Sequence, residues 1–345
     1  MKVDLLLMNP ELAEIGAAAR QAEEMGYAAL LAAEIGHDPF MPLALAAEHT
    51  TRIQLATGIA VGLSRSPVHL AHAAHDLQRF SQGRFILGVG SQIQAHIEKR
   101  FSAPWSHPTE RMKDLIGAVR AIWRTWDDGV PLRYEGPFYR HTLMTPFFSP
   151  PPNGYGPPPI YLAASGPEMT TVGGEVADGL MLHALTSPDS MREITLPALR
   201  KGLAASGRTR DDVDLYAPIF VITGDTDEEL ETADRAVRLQ LAFYASTPAY
   251  RRVLAFHGFP DLPDRLNALS KEGRWREMGG LIGDGVLELF SVAGKPEEIG
   301  AIILARFGGL LDRVALYAPY EHNGSAGSPG LSSGPWARVL YGFGV

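Results

Sequence analysis

The 345-residue chain contains no cysteine. Disulfides, thiolate nucleophiles, cysteine-ligated zinc and iron–sulfur clusters are thereby excluded. Positive charge is also in short supply: 31 Lys and Arg stand against 39 Asp and Glu, a net charge of −8. Such a balance lacks the basic footprint that binding to nucleic acid needs. No stretch approaches the run of about 18 apolar residues that a membrane helix requires. The opening MKVDLLLMNPE holds only the apolar run Leu5–Met8, too short for the core of a signal peptide. A soluble, cytoplasmic protein without membrane partners is predicted. No internal repeat or clear linker interrupts the chain, so residues 1–345 are expected to form one domain. With 46% hydrophobic and 20% charged residues, that domain can bury a large core.

One missing glycine also matters. The apolar run Phe85-Ile86-Leu87 leads into Gly88 and Gly90, followed by Ser91 and Gln92. A short apolar run ending in glycines reads as a buried parallel strand whose end lets a ligand approach the backbone. The dinucleotide fingerprint G-x-G-x-x-G would need a third glycine where Ile93 stands. The strand points to a ligand, but not to a Rossmann cofactor.

Apolar runs near residues 3, 28, 53, 85, 160, 179, 215 and 313 alternate with stretches of helical periodicity. Eight β-α units predict an α/β fold closed as a (β/α)8 TIM barrel, an open doubly wound sheet being the alternative. Such a barrel needs about 250 residues, leaving room for insertions. These are expected at about 94–108 and 129–159, after the fourth strand and its helix, and at 245–291, after the seventh unit. The Gly- and Ser-rich segment at about 321–335 is expected to be flexible. Trp105, Phe138, Tyr139, Phe147 and Phe148 suggest a lid over an apolar substrate, or the insertions' own core.

Barrel sites form where strands end. These ends are poor in carboxylates, which disfavours two-metal hydrolysis and paired-carboxylate glycosidase chemistry and suits a flat organic cofactor. Asn9 and His183 end the first and sixth strands and are candidates to line the substrate pocket. Glu34 and His37 lie in one loop, where a histidine and a carboxylate can manage a proton or simply make a turn. Ser165-Gly166-Pro167 reads either as an anion site at a helix N-terminus or as an ordinary turn. His69, His72 and His75 recur every third residue, but among so many apolar neighbours they read as a packed helix. No metal site is expected.

GRFILGVG (Gly83–Gly90), LATGIAVGLSRSPVHLA (Leu55–Ala71) and YLAASGPEMTTVGGEVADG (Tyr161–Gly179) together resemble the bacterial luciferase-like monooxygenase superfamily. AEIGHDPFMPLALAAEHTTRI (Ala33–Ile53) and SQIQAHIEKRF (Ser91–Phe101) are similar to its branch that uses the deazaflavin coenzyme F420. The resemblance implies a homodimeric barrel with the cofactor over its C-terminal face. It implies a non-prolyl cis peptide at Gly58–Ile59 behind the ring, and Gly90, Ser91 and Gln92 beside it. Ala163, Ala164, Ser165 and Gly166 would hold the ribityl chain and phosphate, and Glu34 would be the acid that contacts the cofactor. Deazaflavin dehydrogenases of this type place a histidine directly after that acid. Ile35 stands there in this chain, leaving His37 or Glu34 to manage the proton. The implied activity is hydride transfer between F420 and a small, fairly apolar organic substrate. The alternatives are a two-component monooxygenase using reduced FMN and O2, and a non-catalytic flavin-binding relative.

Overall fold

Each predicted apolar run became a strand because it is buried on both faces. The computed structural model describes residues 1–320 and 334–344, so the tail predicted to be flexible lies outside the described residues up to position 333. The barrel strands are β1 (Lys2–Leu7), β2 (Ala29–Ala32), β3 (Gln54–Thr57), β4 (Phe85–Gly90), β5 (Ile160–Ala163), β6 (Gly179–Met181), β7 (Asp214–Ile222) and β8 (Arg313–Tyr317). All pair in parallel, and β8 pairs with β1 to close the barrel. The expected (β/α)8 barrel is borne out. Alternation divides the strand residues between two cores: Leu5, Leu30, Leu55 and Leu180 pack under the helices, while Leu6, Leu31, Ala56, Ile86 and Met181 fill the interior.

The covering helices are α1 (Ile15–Glu24), α2 (Phe40–His49), α3 (Pro67–Phe80), α4 (Pro108–Asp128), α5 (Pro167–Val176), α6 (Leu196–Ser206), α7 (Asp227–Ala245) and α8 (Pro296–Phe307). Two open irregularly. α1 begins at Ile15, after a 3-10 turn at Leu12–Glu14. α6 is preceded by a π turn, Met191–Thr195. Pro197, which has no N–H to donate, follows this wider turn.

Polar side chains hold the frame. Arg84 donates to the carbonyls of Ala47, Thr50, Ile53 and Ser81, joining the ends of α2 and α3 to the start of β4. Glu23 accepts the amides of Thr51, Arg52 and Ile53 and so ties α1 to the turn before β3. Inside the barrel, Arg313 makes a two-pronged pair with Asp4, Nε–Oδ2 and Nη2–Oδ1 both 2.8 Å, and gives Nη1 to Gln54 at 2.8 Å.

The third insertion folds into helices Arg251–Phe256, Leu262–Lys271, Trp275–Met278 and Asp284–Phe290. It ends in a short strand, Ser291–Ala293, that extends the sheet beside β7.

Removing one partner of a buried, doubly hydrogen-bonded pair leaves the other charge uncompensated. Asp4→Ala is therefore expected to lower stability by ~3–5 kcal/mol in urea unfolding, while Asp4→Leu combined with Arg313→Met costs clearly less. Equal losses from the two would show that the pair contributes only by volume.

Candidate functional site

The barrel mouth is shaped first by a register change. Between Ala56↔Ile86 and Ala60↔Val89 the chain after β3 advances four residues while β4 advances three. The extra residue is a bulge, which re-aims the backbone at a strand end. The strand β3 ends at Thr57, a cis peptide stands at Gly58–Ile59 where the resemblance implied one, and pairing resumes at Ala60–Val61. Thr57 Oγ1 donates to the Gly88 carbonyl at 2.6 Å, and a Cβ on Gly88 would stand 1.9 Å from the Thr57 carbonyl. Beside the bulge, a Cβ on Gly90 would lie 2.9 Å from Ala163 Cβ and 3.0 Å from Ile59 Cδ1. Gly58, Ile59, Gly90 and Ala163 thus come together as a floor in which Ile59 has the one large side chain, lying against Gly90.

Ser91 and Gln92 follow this floor, both half-buried. Gln92 takes a left-handed backbone, φ 61°, and its Oε1 accepts the Ile93 amide at 3.0 Å. On the next strand, Ala164 is buried and Ser165 exposed, and Gly166 is the N-cap of α5. No side chain caps that helix, so the amides of Glu168 and Met169 are left without intrahelical partners. With Pro167 at the first position, this end can receive an anion.

Glu34 is not free to act alone. Its Oε2 accepts the Val61 amide at 2.7 Å and Arg65 Nη1 at 2.5 Å, and Arg65 Nη2 reaches Asp38 at 2.8 Å. The carboxylate therefore pins the chain just beyond the bulge. Asn9, a candidate to line the substrate pocket, accepts the Gly36 amide on Oδ1 at 3.0 Å, and Arg100 donates to the Ile35 carbonyl. His37 is exposed and makes no hydrogen bond to a described residue. The structure holds the loop of Glu34 and His37 in place from three sides without giving His37 an orienting partner.

His183 has a more specific setting. It stacks on Tyr250, centroids 4.1 Å apart, and meets the edge of Tyr244 at 4.6 Å. Nδ1 accepts the Leu185 amide at 3.2 Å. With Ala164, Gly166 and Tyr250 it lines a partly open pocket that continues to the α5 N-terminus. Burial pushes its imidazole down to about 3, so it is neutral at physiological pH.

Arg65, Arg100, Tyr244 and Tyr250 were missed in the sequence. Nothing near Tyr244 or Tyr250 marks them, because their partners lie on other elements.

The aromatic lid does not form as pictured. Asp114 accepts the Phe138 and Tyr139 amides at 2.8 and 2.9 Å, and Arg111 Nε donates to Tyr139 at 3.1 Å, which docks the two-stranded hairpin of Tyr134–Glu135 and Arg140–His141 on α4. Phe147 and Phe148 stand 89% and 62% exposed and so cover nothing. His72 and His75 pack on Trp126. Among the described residues there is no cluster of three or more metal-ligating side chains, and no helix long and apolar enough to cross a membrane.

A histidine whose folded pKa is depressed contributes stability above its unfolded value, and that stability is lost as pH falls towards the folded value. Stability is therefore expected to fall between pH 6.5 and pH 4. His183→Phe should flatten that part of the profile in thermal unfolding; an unchanged slope would show that His183 titrates normally.

A model of the luciferase-like monooxygenase family matches residues 2–313. An uncharacterized protein of Mycobacterium tuberculosis is 48% identical over 314 residues, 91% of this chain and 92% of that one. The 5,10-methylenetetrahydromethanopterin reductase of Archaeoglobus fulgidus is 28% identical over 265 residues, 74% of each chain. A solved structure of the coenzyme F420 dependent tetrahydromethanopterin reductase from Methanopyrus kandleri matches with a TM-score of 0.79 at 21% identity, covering 99% of this chain and 97% of that one. At that identity, the likeness is one of fold.

Proposed function

The chain belongs to the luciferase-like monooxygenase family, and on that premise we propose that it is an oxidoreductase using the deazaflavin coenzyme F420 on a small, fairly apolar organic substrate. The observation that carries this reading is the floor of Gly58, Ile59, Gly90 and Ala163, continuous along β5 with an uncapped helix N-terminus at Gly166. A flat ring fits the first part and a phosphate the second. That the Methanopyrus kandleri protein of this fold is described as F420 dependent supports the deazaflavin. When bound, the coenzyme supplies or accepts a hydride.

The chain's own residues supply binding and orientation. Ser91 and Gln92 border the ring. Ala164 and Ser165 flank the ribityl chain, and the amides at the start of α5 receive the phosphate. Glu34, fixed by Val61 and Arg65, keeps the bulge behind the ring and positions rather than donates a proton. His37, exposed at the rim, is the remaining carrier for that proton. A homodimer and a cytoplasmic location belong to this reading.

FMN offers a similar flat ring and phosphate, so the two coenzymes must be compared directly. Fluorescence titration is expected to show F420 binding and at least tenfold weaker FMN binding. Gly90→Val, which puts side-chain atoms on the floor, should abolish F420 binding while leaving thermal unfolding cooperative. Tight binding of FMN without binding of F420 would replace this reading with the flavin monooxygenase one. Among the proton carriers, His37→Ala is expected to lower kcat by about 10²-fold, the usual scale of general acid–base catalysis, without weakening F420 binding. An unchanged kcat would remove His37 from the mechanism.

A further inference from the structure

We propose that Arg252, brought to the barrel mouth by the third insertion, is the cation that receives the coenzyme's phosphate at the start of α5, and that the Glu168 carboxylate holds the phosphate's place until the coenzyme binds. The proposal rests on the reading of the mouth as a coenzyme site and adds to it a side chain from outside the barrel.

The insertion fixes the backbone at Arg252 and leaves its side chain uncommitted. Just before the short helix Arg251–Phe256, the Tyr250 ring stacks on His183 with centroids 4.1 Å apart. Just after it, His257 Nε2 lies 2.9 Å from Ser187 Oγ, in the segment that follows β6. Arg251 is committed to Asp264, Nη1 donating to Oδ2 at 2.9 Å, which ties this helix to the next. Arg252 makes no hydrogen bond to a described residue. It faces the Glu168 carboxylate, Nη1–Oε1 3.8 Å, beyond hydrogen-bond reach.

Charge and position then point to an anion. The pocket that runs to the α5 N-terminus includes Ala164, Ser165 and Gly166, and Arg252 is the one formally charged residue of its described lining. The amides without intrahelical partners at that end belong to Glu168 and Met169. Glu168 turns its carboxylate back over them: Oε2 would stand 3.6 Å from a Cβ on Gly166. A carboxylate therefore lies between a helix N-terminus and a guanidinium and is hydrogen-bonded to neither. A phosphate spreads its charge over several oxygens, and the planar fork of an arginine matches that geometry. Arg252 gains more from such an anion than from Glu168. With 65% of its side chain exposed, it is free to move from one to the other.

The test is fluorescence titration of the full chain with two ligands: F420, and the same deazaflavin ring with its ribityl chain but no phosphate. Arg252→Gln should weaken F420 about tenfold, the worth of a hydrogen bond to a charged group, and leave the phosphate-free ligand unchanged. Arg252→Lys, which keeps the charge but not the fork, should fall between the two. Glu168→Gln removes the competing carboxylate and should tighten F420 about twofold to threefold, the scale of a charge at a helix N-terminus. Both side chains are exposed, so each variant should unfold at the same temperature as the native chain. Unchanged F420 binding to Arg252→Gln overturns the proposal. So does an equal loss for the two ligands, which would make Arg252 a support for the insertion. Weaker F420 binding to Glu168→Gln would remove Glu168 as the stand-in. If the native chain binds neither ligand, the coenzyme reading falls and this proposal with it; native binding with an indifferent Arg252→Gln refutes this proposal alone.

Discussion

The site depends on one constraint: the backbones of β3 and β4 approach so closely at Thr57 and Gly88 that only glycine fits there. Past this point the two chains cannot continue in step, and the extra residue forms the bulge at Thr57–Ile59. Everything at the mouth is built around it. Glu34 grips the amide of Val61 as pairing resumes, and Arg65 holds Glu34 while reaching Asp38. The bulge turns Ile59 towards Gly90, where a larger residue would collide with it and with Ala163. The close packing of Ile59 and Ala163 on Gly90 is thus a result of strand register, not of loop placement.

Around this floor the chain separates its electrostatics. The arginine and carboxylate groups gather at the β2 and β3 ends, paired with one another and serving as struts. The β6, β7 and β8 ends carry neutral rings instead, with His183 uncharged and the tyrosines hydrogen-bonded to each other. Burial also pushes Tyr244 above its ordinary value, which keeps its hydroxyl protonated. One side of the mouth fixes geometry, while on the other His183 and Tyr250 line the pocket that runs to the α5 N-terminus.

Much of this was legible in the sequence because parallel strands buried on both faces appear as continuous apolar runs. Phe85–Gly90 and Leu215–Ile222 declare themselves that way, and all eight barrel strands were found. Ser291–Ala293 was not, since three residues at the end of an insertion make no pattern. The break after Thr57 is not marked by the pattern of LATGIAV, and only the family resemblance pointed to it, through the cis peptide at Gly58–Ile59 that the structure carries. Glycines announced the floor, but the roles of Glu34 and Asn9 were set by Arg65 and Gly36, whose approach is tertiary. The partners of His183 come from residues 244 and 250, on α7 and the insertion beyond it, and no local spacing predicts that stack.

The central claim is that the bulged floor and the α5 N-terminus together hold one deazaflavin. A crystal structure of the chain with F420 tests it most directly. The account predicts the ring lying on Gly58, Ile59, Gly90 and Ala163, with its phosphate at the amides that follow Gly166. A coenzyme bound elsewhere, or a ring displaced from Gly90 with its phosphate away from α5, would contradict it.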